Sequence, residues 1–299
     1  MLSHVSDPEP PRIPVRHMTS TLTLKKLNAA IKDWALRMAG LDLKAEYITT
    51  FPSEQNALDI FAGEWACRLP PPFENLRAGA AELFQDNRIA WLGERLQNIE
   101  SMHVFECGPL EGAHTYMLEK MGVASILSVE ASTHAFLRCL VLKELLQLRK
   151  SHFMLGDFVS YMRNGEHYDL VVACGVLYHL VKPVEAIALM SKVTDQVYIW
   201  THYYDEEKIK ERAILAHHFQ SSSQAEFMGF KHSLHLQNYQ SRLGNPGFMG
   251  GSERYSNLLS REDLIGALRF FGFDEITIQF DVADSPAGPN ISLMAKRNA

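Results

Sequence analysis

Five residues in this chain have the type and the placing to do chemistry. Glu106 lies in VFECGPLEGAHT, Glu130 closes SILSVE, Asp157 follows FMLG, His179 follows ACGVLY and His202 closes VYIWTH. Each comes at the end of an apolar run, where a buried strand would emerge. A carboxylate attracts cations and hydroxyl donors and repels phosphate. An imidazole near neutral pH can take a proton from an alcohol, phenol or ammonium nucleophile. The set therefore suits a hydroxylated, cationic ligand beside a molecule that must lose a proton.

The turn after Glu106 narrows the ligand. A dinucleotide fingerprint, G-x-G-x-x-G, carries three glycines and offers backbone N–H groups to a pyrophosphate. Here Gly108 and Gly112 are present, Leu110 stands at the middle position, Pro109 deletes a donor, and Glu106 adds negative charge. These features disfavour NAD or FAD. S-adenosylmethionine has no phosphate and carries an ammonium and a sulfonium. Glu106 would face its amino group and Gly108 would let the chain approach closely. Glu130, about 22 residues past Gly108, would accept the ribose hydroxyls. Asp157 would accept the adenine amine or cap a helix, and Phe158 would lie against the ring. Cys174 and Val176 would reach the cofactor through backbone and packing, their side chains otherwise being core. His114 or Thr115 would reach the methionine carboxylate, with Thr115 equally placed to face solvent.

The elements that must position these residues follow a regular rhythm. Strands are predicted at 102–106, 125–130, 151–155, 168–174 and 196–201, with helices near 112–121, 133–149, 157–163 and 182–193. Such alternation implies a parallel sheet covered by helices on both faces. SREDLIGALRFFGF reads as a capped helix, and DEITIQFDV and NISLMAKR as a closing antiparallel hairpin. Residues 1–20 read as a mobile tail and 21–100 as a helical cap, with helices expected in LTLKKLNAAIKDWALRMAG, PSEQNALDIFAGEWACRL and RIAWLGERLQNI. Residues 203–258 break the rhythm and read as an insertion.

FECGPLEG, SVEAS, GDF and ACGVLYHL, in that order and at those strand ends, resemble the core of class I S-adenosylmethionine-dependent methyltransferases. The resemblance covers about residues 102–202 and implies a doubly wound α/β fold, a seven-stranded, mostly parallel sheet with the last strand antiparallel. Residues 101–299 would then be the S-adenosylmethionine-binding domain. The implied cofactor contacts are Glu106, Gly108, Pro109, Leu110, Gly112, Thr115, Glu130, Ala131, Gly156, Asp157, Phe158, Cys174, Gly175 and Val176. Leu110 departs from the usual glycine, which bears on the path of the loop.

Methyl transfer is an in-line displacement, so the enzyme aligns the partners and excludes water. His179 and His202 are the two candidate bases; a reaction with no protein base is the alternative. The insertion is expected to form the substrate wall, GNPGFMGGSERYS being a lid or loop. Tyr178, Tyr203, Phe248, Arg254 and Tyr255 are candidate acceptor contacts, and Gln55, Asn56 and Trp65 would close the other side. His232 and His235 would share a helix face, but no carboxylate or cysteine completes a site, so no metal is expected.

Composition sets outer bounds. The chain has 299 residues, 46% hydrophobic and 21% charged, with a formal charge of −6. That is an ordinary globular balance without an overall attraction for nucleic acid. No apolar run approaches the roughly 20 residues needed to span a bilayer, and the N-terminus lacks a signal-peptide core. Four cysteines without a C-x-x-C pair read as reduced thiols, so a cytoplasmic protein is expected. The leading expectation is methyl transfer from S-adenosyl-L-methionine to an oxygen or nitrogen of a small molecule, leaving S-adenosyl-L-homocysteine. A tRNA-modifying methyltransferase and a non-catalytic cofactor-binding protein are the alternatives. A homodimer is compatible with the sequence.

Overall fold

Five apolar segments lie side by side and parallel: β1 (His103–Cys107), β2 (Ser125–Glu130), β3 (Ser151–Leu155), β4 (Leu170–Cys174) and β5 (Gln196–His202). The computed structural model describes residues 31–32, 47–239 and 250–298. The expected tail at 1–20 and most of the expected helix in 22–40 lie outside the described residues. All the strands and helices named below belong to one compact unit, Ser53–Ala299.

The helices in chain order are α1 (Glu54–Asp59), α2 (Asn87–Gly93), α3 (Ala113–Met121), α4 (Thr133–Leu145), α5 (Phe158–Met162), α6 (Pro183–Val193), α7 (Glu206–Lys210), α8 (Ala213–Ala216) and α9 (Arg261–Phe270). The remaining strands are β6 (Phe219–Phe227), β7 (Phe230–Asn238), β8 (Tyr255–Leu258), β9 (Glu275–Val282) and β10 (Asn290–Lys296). The main sheet has seven strands in the order β3-β2-β1-β4-β5-β10-β9, and only β10 breaks the parallel run, against β5 and β9.

Period-two alternation divides the core. Phe105, Val171, Val197, Ile199 and Leu293 belong to one hydrophobic cluster. Their chain neighbours Val104, Leu170, Val172, Tyr198 and Met294 belong to another. Successive side chains on a strand point to opposite faces, so a sheet covered on both sides must be apolar at every position. The chain steps outward from β1 to β3, then returns to the other side of β1 at β4. That reversal opens a crevice at the carboxyl ends of β1 and β4, where ligands bind in such sheets.

Two regions differ from the sequence expectation. The helix expected through Leu69 ends at Asp59. Trp65 turns back to donate Nε1–H to the Leu58 carbonyl at 2.7 Å, and Gly63 takes a positive φ of 84°. Residues 53–101 therefore hold two short α-helices and long turns rather than a helical cap. The insertion carries a separate three-stranded antiparallel sheet, β6-β7-β8, which the sequence pattern did not reveal.

Across the antiparallel seam, the buried Tyr198 hydroxyl meets Ser292 Oγ at 2.7 Å, and that Oγ donates to Gln279 Oε1 at 2.7 Å. The Tyr198→Phe variant removes one buried donor while keeping the ring. It is expected to lower unfolding free energy by about 1 kcal/mol, measured by urea denaturation; an unchanged midpoint would show that the bond adds nothing.

Candidate functional site

The loop after β1 holds three residues at positive φ: Gly108 at 61°, Leu110 at 59° and Gly112 at 76°. Gly108 has a second reason to be glycine, since a Cβ there would lie 2.8 Å from Val176 Cγ1. A leucine in this region costs roughly 1–2 kcal/mol, so something must hold it. Glu130 Oε2 accepts the Leu110 N–H at 3.1 Å, and its Oε1 accepts the Ser132 N–H at 2.8 Å. The end of β2 thus fixes the loop that follows β1. Pro109 contributes its carbonyl, which accepts the Gly112 N–H at 2.8 Å.

Glu106 is buried, and Thr115 and Ser128 both donate hydroxyls to its Oε2. Burial raises its carboxyl above the usual range, against the charge of His114 and these two hydroxyls. Thr115 is fully buried, so it does not face solvent. Asp157 caps α5, accepting the Val159 and Ser160 N–H groups at 3.1 Å each. Gly156 donates its N–H to the Glu130 carbonyl at 2.8 Å, and Ala131 is exposed beside it. Phe158 belongs to the same core cluster as Phe105 and Met162, which leaves its ring little surface for an adenine.

At the ends of β4 and β5, Gly175 takes a φ of 88° and donates its N–H to the Trp200 carbonyl at 2.8 Å. Cys174 is half-buried and Val176 buried. Tyr178 lies between the two histidines, its ring centroid 4.1 Å from that of His179 and 4.8 Å from that of His202. His202 Nδ1 lies 3.1 Å from the Pro289 carbonyl. A carbonyl only accepts, so Nδ1 carries the proton and Nε2 keeps the lone pair. Burial lowers the His202 pKa. His179 Nδ1 shares a hydrogen bond with Tyr239 Oη at 3.0 Å, and burial, aided by His202, pushes it down to about 4. Both imidazoles are neutral at pH 7.

A small pocket lies here, lined by Tyr178, Pro183, Thr201, His202, Tyr203, Asn257 and a rim of leucines. The insertion reaches this wall. Leu258 of β8 lines the cleft, and a Cβ at Gly251 would lie 2.3 Å from the His179 carbonyl oxygen. Tyr203 lines it by its ring only, because its hydroxyl donates to Asp281 Oδ1 at 2.9 Å. Arg254 is exposed and Tyr255 half-buried, and neither lines the cleft. Phe248 lies outside the described residues. Gln55 is engaged with Arg77 and Asp59, and Trp65 is packed in a hydrophobic cluster.

Sequence reasoning missed a charged cluster on the same side. Asp86, the N-cap of α2, accepts from Arg88 Nε at 2.9 and 3.0 Å and from Arg88 Nη2 at 2.5 Å. His114 Nε2 lies 2.9 Å from Asp86 Oδ2. Burial alone would lower His114, but Cys174 and Asp86 outweigh it and push it up to about 10. Burial alone would raise Asp86, but His114 and Arg88 hold it well below the carboxylate range. Two cations therefore face one carboxylate. The Arg88 guanidinium also lies over the Trp200 ring, 4.2 Å from its centroid. DNRIAW reads as a helix start with a solvated charge pair; only the tertiary contact with His114 reveals its place.

The histidine pair expected on a helix face lies on β7 instead. Positions three apart on a strand point to opposite sides. His232 Nδ1 is 3.2 Å from the Phe230 carbonyl, whereas His235 stacks on Tyr204 at 3.8 Å. Among the described residues, no group of three or more His, Cys, Asp or Glu could hold a metal ion. No described helix is long and apolar enough to cross a membrane.

No family model and no curated protein matches the chain. Solved structures do. The N-terminal domain of EvdMO1 with SAH bound superposes with a TM-score of 0.64 at 20% identity, covering 82% of this chain and 95% of that one. The same domain in the presence of SAH and D-fucose gives 0.62 at 21% identity, with the same shares covered. The chain spans about half of whole EvdMO1, covering 46% of it. An S-adenosylmethionine-dependent methyltransferase from Mesorhizobium loti gives 0.50 at 10% identity, covering 72% of this chain and 100% of that one. The fold is that of the class I methyltransferases, as the sequence motifs led one to expect.

The raised His114 pKa has a sign that can be checked. The folded state binds this proton more tightly than the unfolded chain, whose imidazole titrates near 6.5. The stabilisation is fully present below pH 6.5 and is lost as pH rises through about 10. The His114→Gln variant is expected to lose this alkaline slope relative to wild type in a series of melting curves. Parallel slopes would place the His114 proton elsewhere.

Proposed function

We propose that the chain transfers a methyl group from S-adenosylmethionine to a hydroxyl of a small polar molecule, a sugar being the favoured class. The observation that carries the reaction type is His202, a residue that lines the pocket: its Nδ1–H is fixed on the Pro289 carbonyl, which leaves Nε2 as the neutral acceptor. That arrangement suits removal of a hydroxyl proton at neutral pH. The sugar class draws support from the EvdMO1 domain, studied in the presence of D-fucose, whose fold this chain shares.

The donor set fits the cofactor. In this reading Glu130 accepts the ribose hydroxyls and Asp157 the adenine amine. Thr115 and Ser128 both bond Oε2 of Glu106, which leaves Oε1 as the oxygen an ammonium would approach. Arg88 and His114 bring positive charge for the methionine carboxylate, a group the acids alone would repel. Gly108, Gly112, Gly175 and Val176 shape the surface between these groups, together with Leu110 and the Pro109 carbonyl. The bound cofactor supplies an electrophilic methyl on a sulfonium. The chain's own part is to align the acceptor with that methyl, exclude water and hold the released proton on His202 Nε2. His179 is held by Tyr239 and acts as a wall and an orienter of Tyr178. The described part of 203–258 forms the acceptor side of the site in this reading, as the contacts of Gly251 and Leu258 favour.

A labelled-methyl screen against free and nucleotide-linked sugars tests the reading. His202→Ala is expected to lower kcat by about 10²–10⁴-fold while S-adenosylhomocysteine affinity stays near wild type; undiminished turnover would remove His202 as the base. By calorimetry, Glu130→Ala is expected to weaken S-adenosylhomocysteine binding by about 1–3 kcal/mol. A wild-type protein that binds no S-adenosylhomocysteine would end the cofactor assignment.

A further inference from the structure

Glu111 sits between the two left-handed residues Leu110 and Gly112, and its carboxylate is fully buried. It does not point toward the candidate cofactor groups. Its Oε1 accepts the Ala66 N–H at 2.7 Å and its Oε2 the Cys67 N–H at 3.0 Å. Arg138, itself buried, places Nε 3.5 Å from Oε1 and donates from Nη1 to Glu64 Oε2 at 3.2 Å. The loop's acid is therefore clasped by backbone donors and a cation from outside the nucleotide-binding loop.

The donors themselves are held. The Ala66 carbonyl accepts the Ala81 N–H at 2.8 Å, and the Cys67 carbonyl accepts the Gly79 N–H at 2.9 Å. A Cβ at Gly79 would lie 2.1 Å from the Ala66 carbonyl carbon, so the two arms of this turn touch backbone to backbone. Leu58, Phe61, Trp65 and Cys67 share a hydrophobic cluster with Ala113, the residue just after the loop. A buried carboxylate that loses its partners is strongly penalised. Glu111 thus cannot leave its place without dismantling this contact.

We propose that Glu111 is a positioning residue for the cofactor loop: by clasping the Ala66 and Cys67 amides it holds Leu110 and Gly112 in their left-handed conformations, so that cofactor affinity depends on this clasp. Glu130 restrains the loop from the β2 side and Glu111 from the opposite side. Neither restraint alone fixes both ends of a three-residue stretch with soft dihedrals. The affinity consequence rests on the S-adenosylmethionine reading above; the loop consequence does not.

The test uses the full chain and two variants. Glu111→Gln replaces one acceptor oxygen with an NH₂ that opposes a backbone donor. Trp65→Leu loosens the same hydrophobic cluster and removes the Trp65–Leu58 hydrogen bond, but keeps the Glu111 carboxylate and the two amides it clasps. Hydrogen exchange in the absence of ligand is expected to quicken at least tenfold at the Leu110 and Gly112 amides in Glu111→Gln, and not in Trp65→Leu. Calorimetry with S-adenosylhomocysteine is expected to show Kd at least tenfold weaker in Glu111→Gln and within twofold of wild type in Trp65→Leu. Loop amides that exchange at the wild-type rate in Glu111→Gln, or equally fast in both variants, would overturn the proposal. If Glu111→Gln fails to fold, Glu111→Asp, which keeps the charge but withdraws it, carries the same comparison. A wild type that ignores S-adenosylhomocysteine would count against the function alone, because the exchange measurement reads the loop directly.

Discussion

The structure depends on one constraint: the chain must reverse at the end of β1 through a backbone that L-residues avoid. Gly108 and Gly112 meet it without cost, and Leu110 does not. The leucine is tolerated because a carboxylate at the end of the neighbouring strand takes its N–H. That bond fixes the loop against β2 and orients α3, whose first turn supplies His114 and Thr115. Thr115 in turn secures Glu106. The acids at the sheet's carboxyl edge are thus a mutually supported set, and their order follows from the register of β1 on β2.

Charge is then divided across a short distance. On one side, two cations share Asp86; on the other, two imidazoles stay neutral. Burial lowers all three histidines, and the difference lies in what stands beside them. His114 faces Asp86, whereas His202 faces a carbonyl and feels Arg88, and His179 feels His202. Aromatic rings separate the two environments, with Trp200 beneath Arg88 and Tyr178 between the neutral imidazoles. For the proposed reaction, this division would set a charged donor apart from a neutral hydroxyl acceptor.

The sheet was legible because its strands are buried on both faces and read as unbroken apolar runs ending in acids or histidines. VVAC and VYIW could be placed by eye for that reason. The insertion strands could not. SSSQAEF is mostly exposed and polar, and KHSLHLQN carries only Leu234 and Leu236 as apolar residues on one face, too short an alternation to mark a strand. The segment 60–82 misled for a different reason: Leu58, Phe61 and Trp65 have helical spacing, but only Leu58 lies on α1, and Phe61 and Trp65 pack from the turn after it. Within the site, the acids at strand ends were visible because their distances along the chain follow strand and helix lengths. Asp86 and Arg88 were not, since their partner lies 28 residues from Asp86 and no spacing rule links them. Thr115 was expected to reach the methionine carboxylate or to face solvent; only the structure reveals its bond to Glu106.

Because β10 runs against β5, its first residue lies beside His202, and the turn at 283–289 arrives at the functional edge rather than the far one. Hairpin turns tolerate changes in length better than the strands they join. Changes in this surface turn would therefore reach His202 through the Pro289 carbonyl, while the register of the sheet stays as it is. For the proposed function, the setting of the candidate base thus has a route of adjustment that lies apart from the loop after β1.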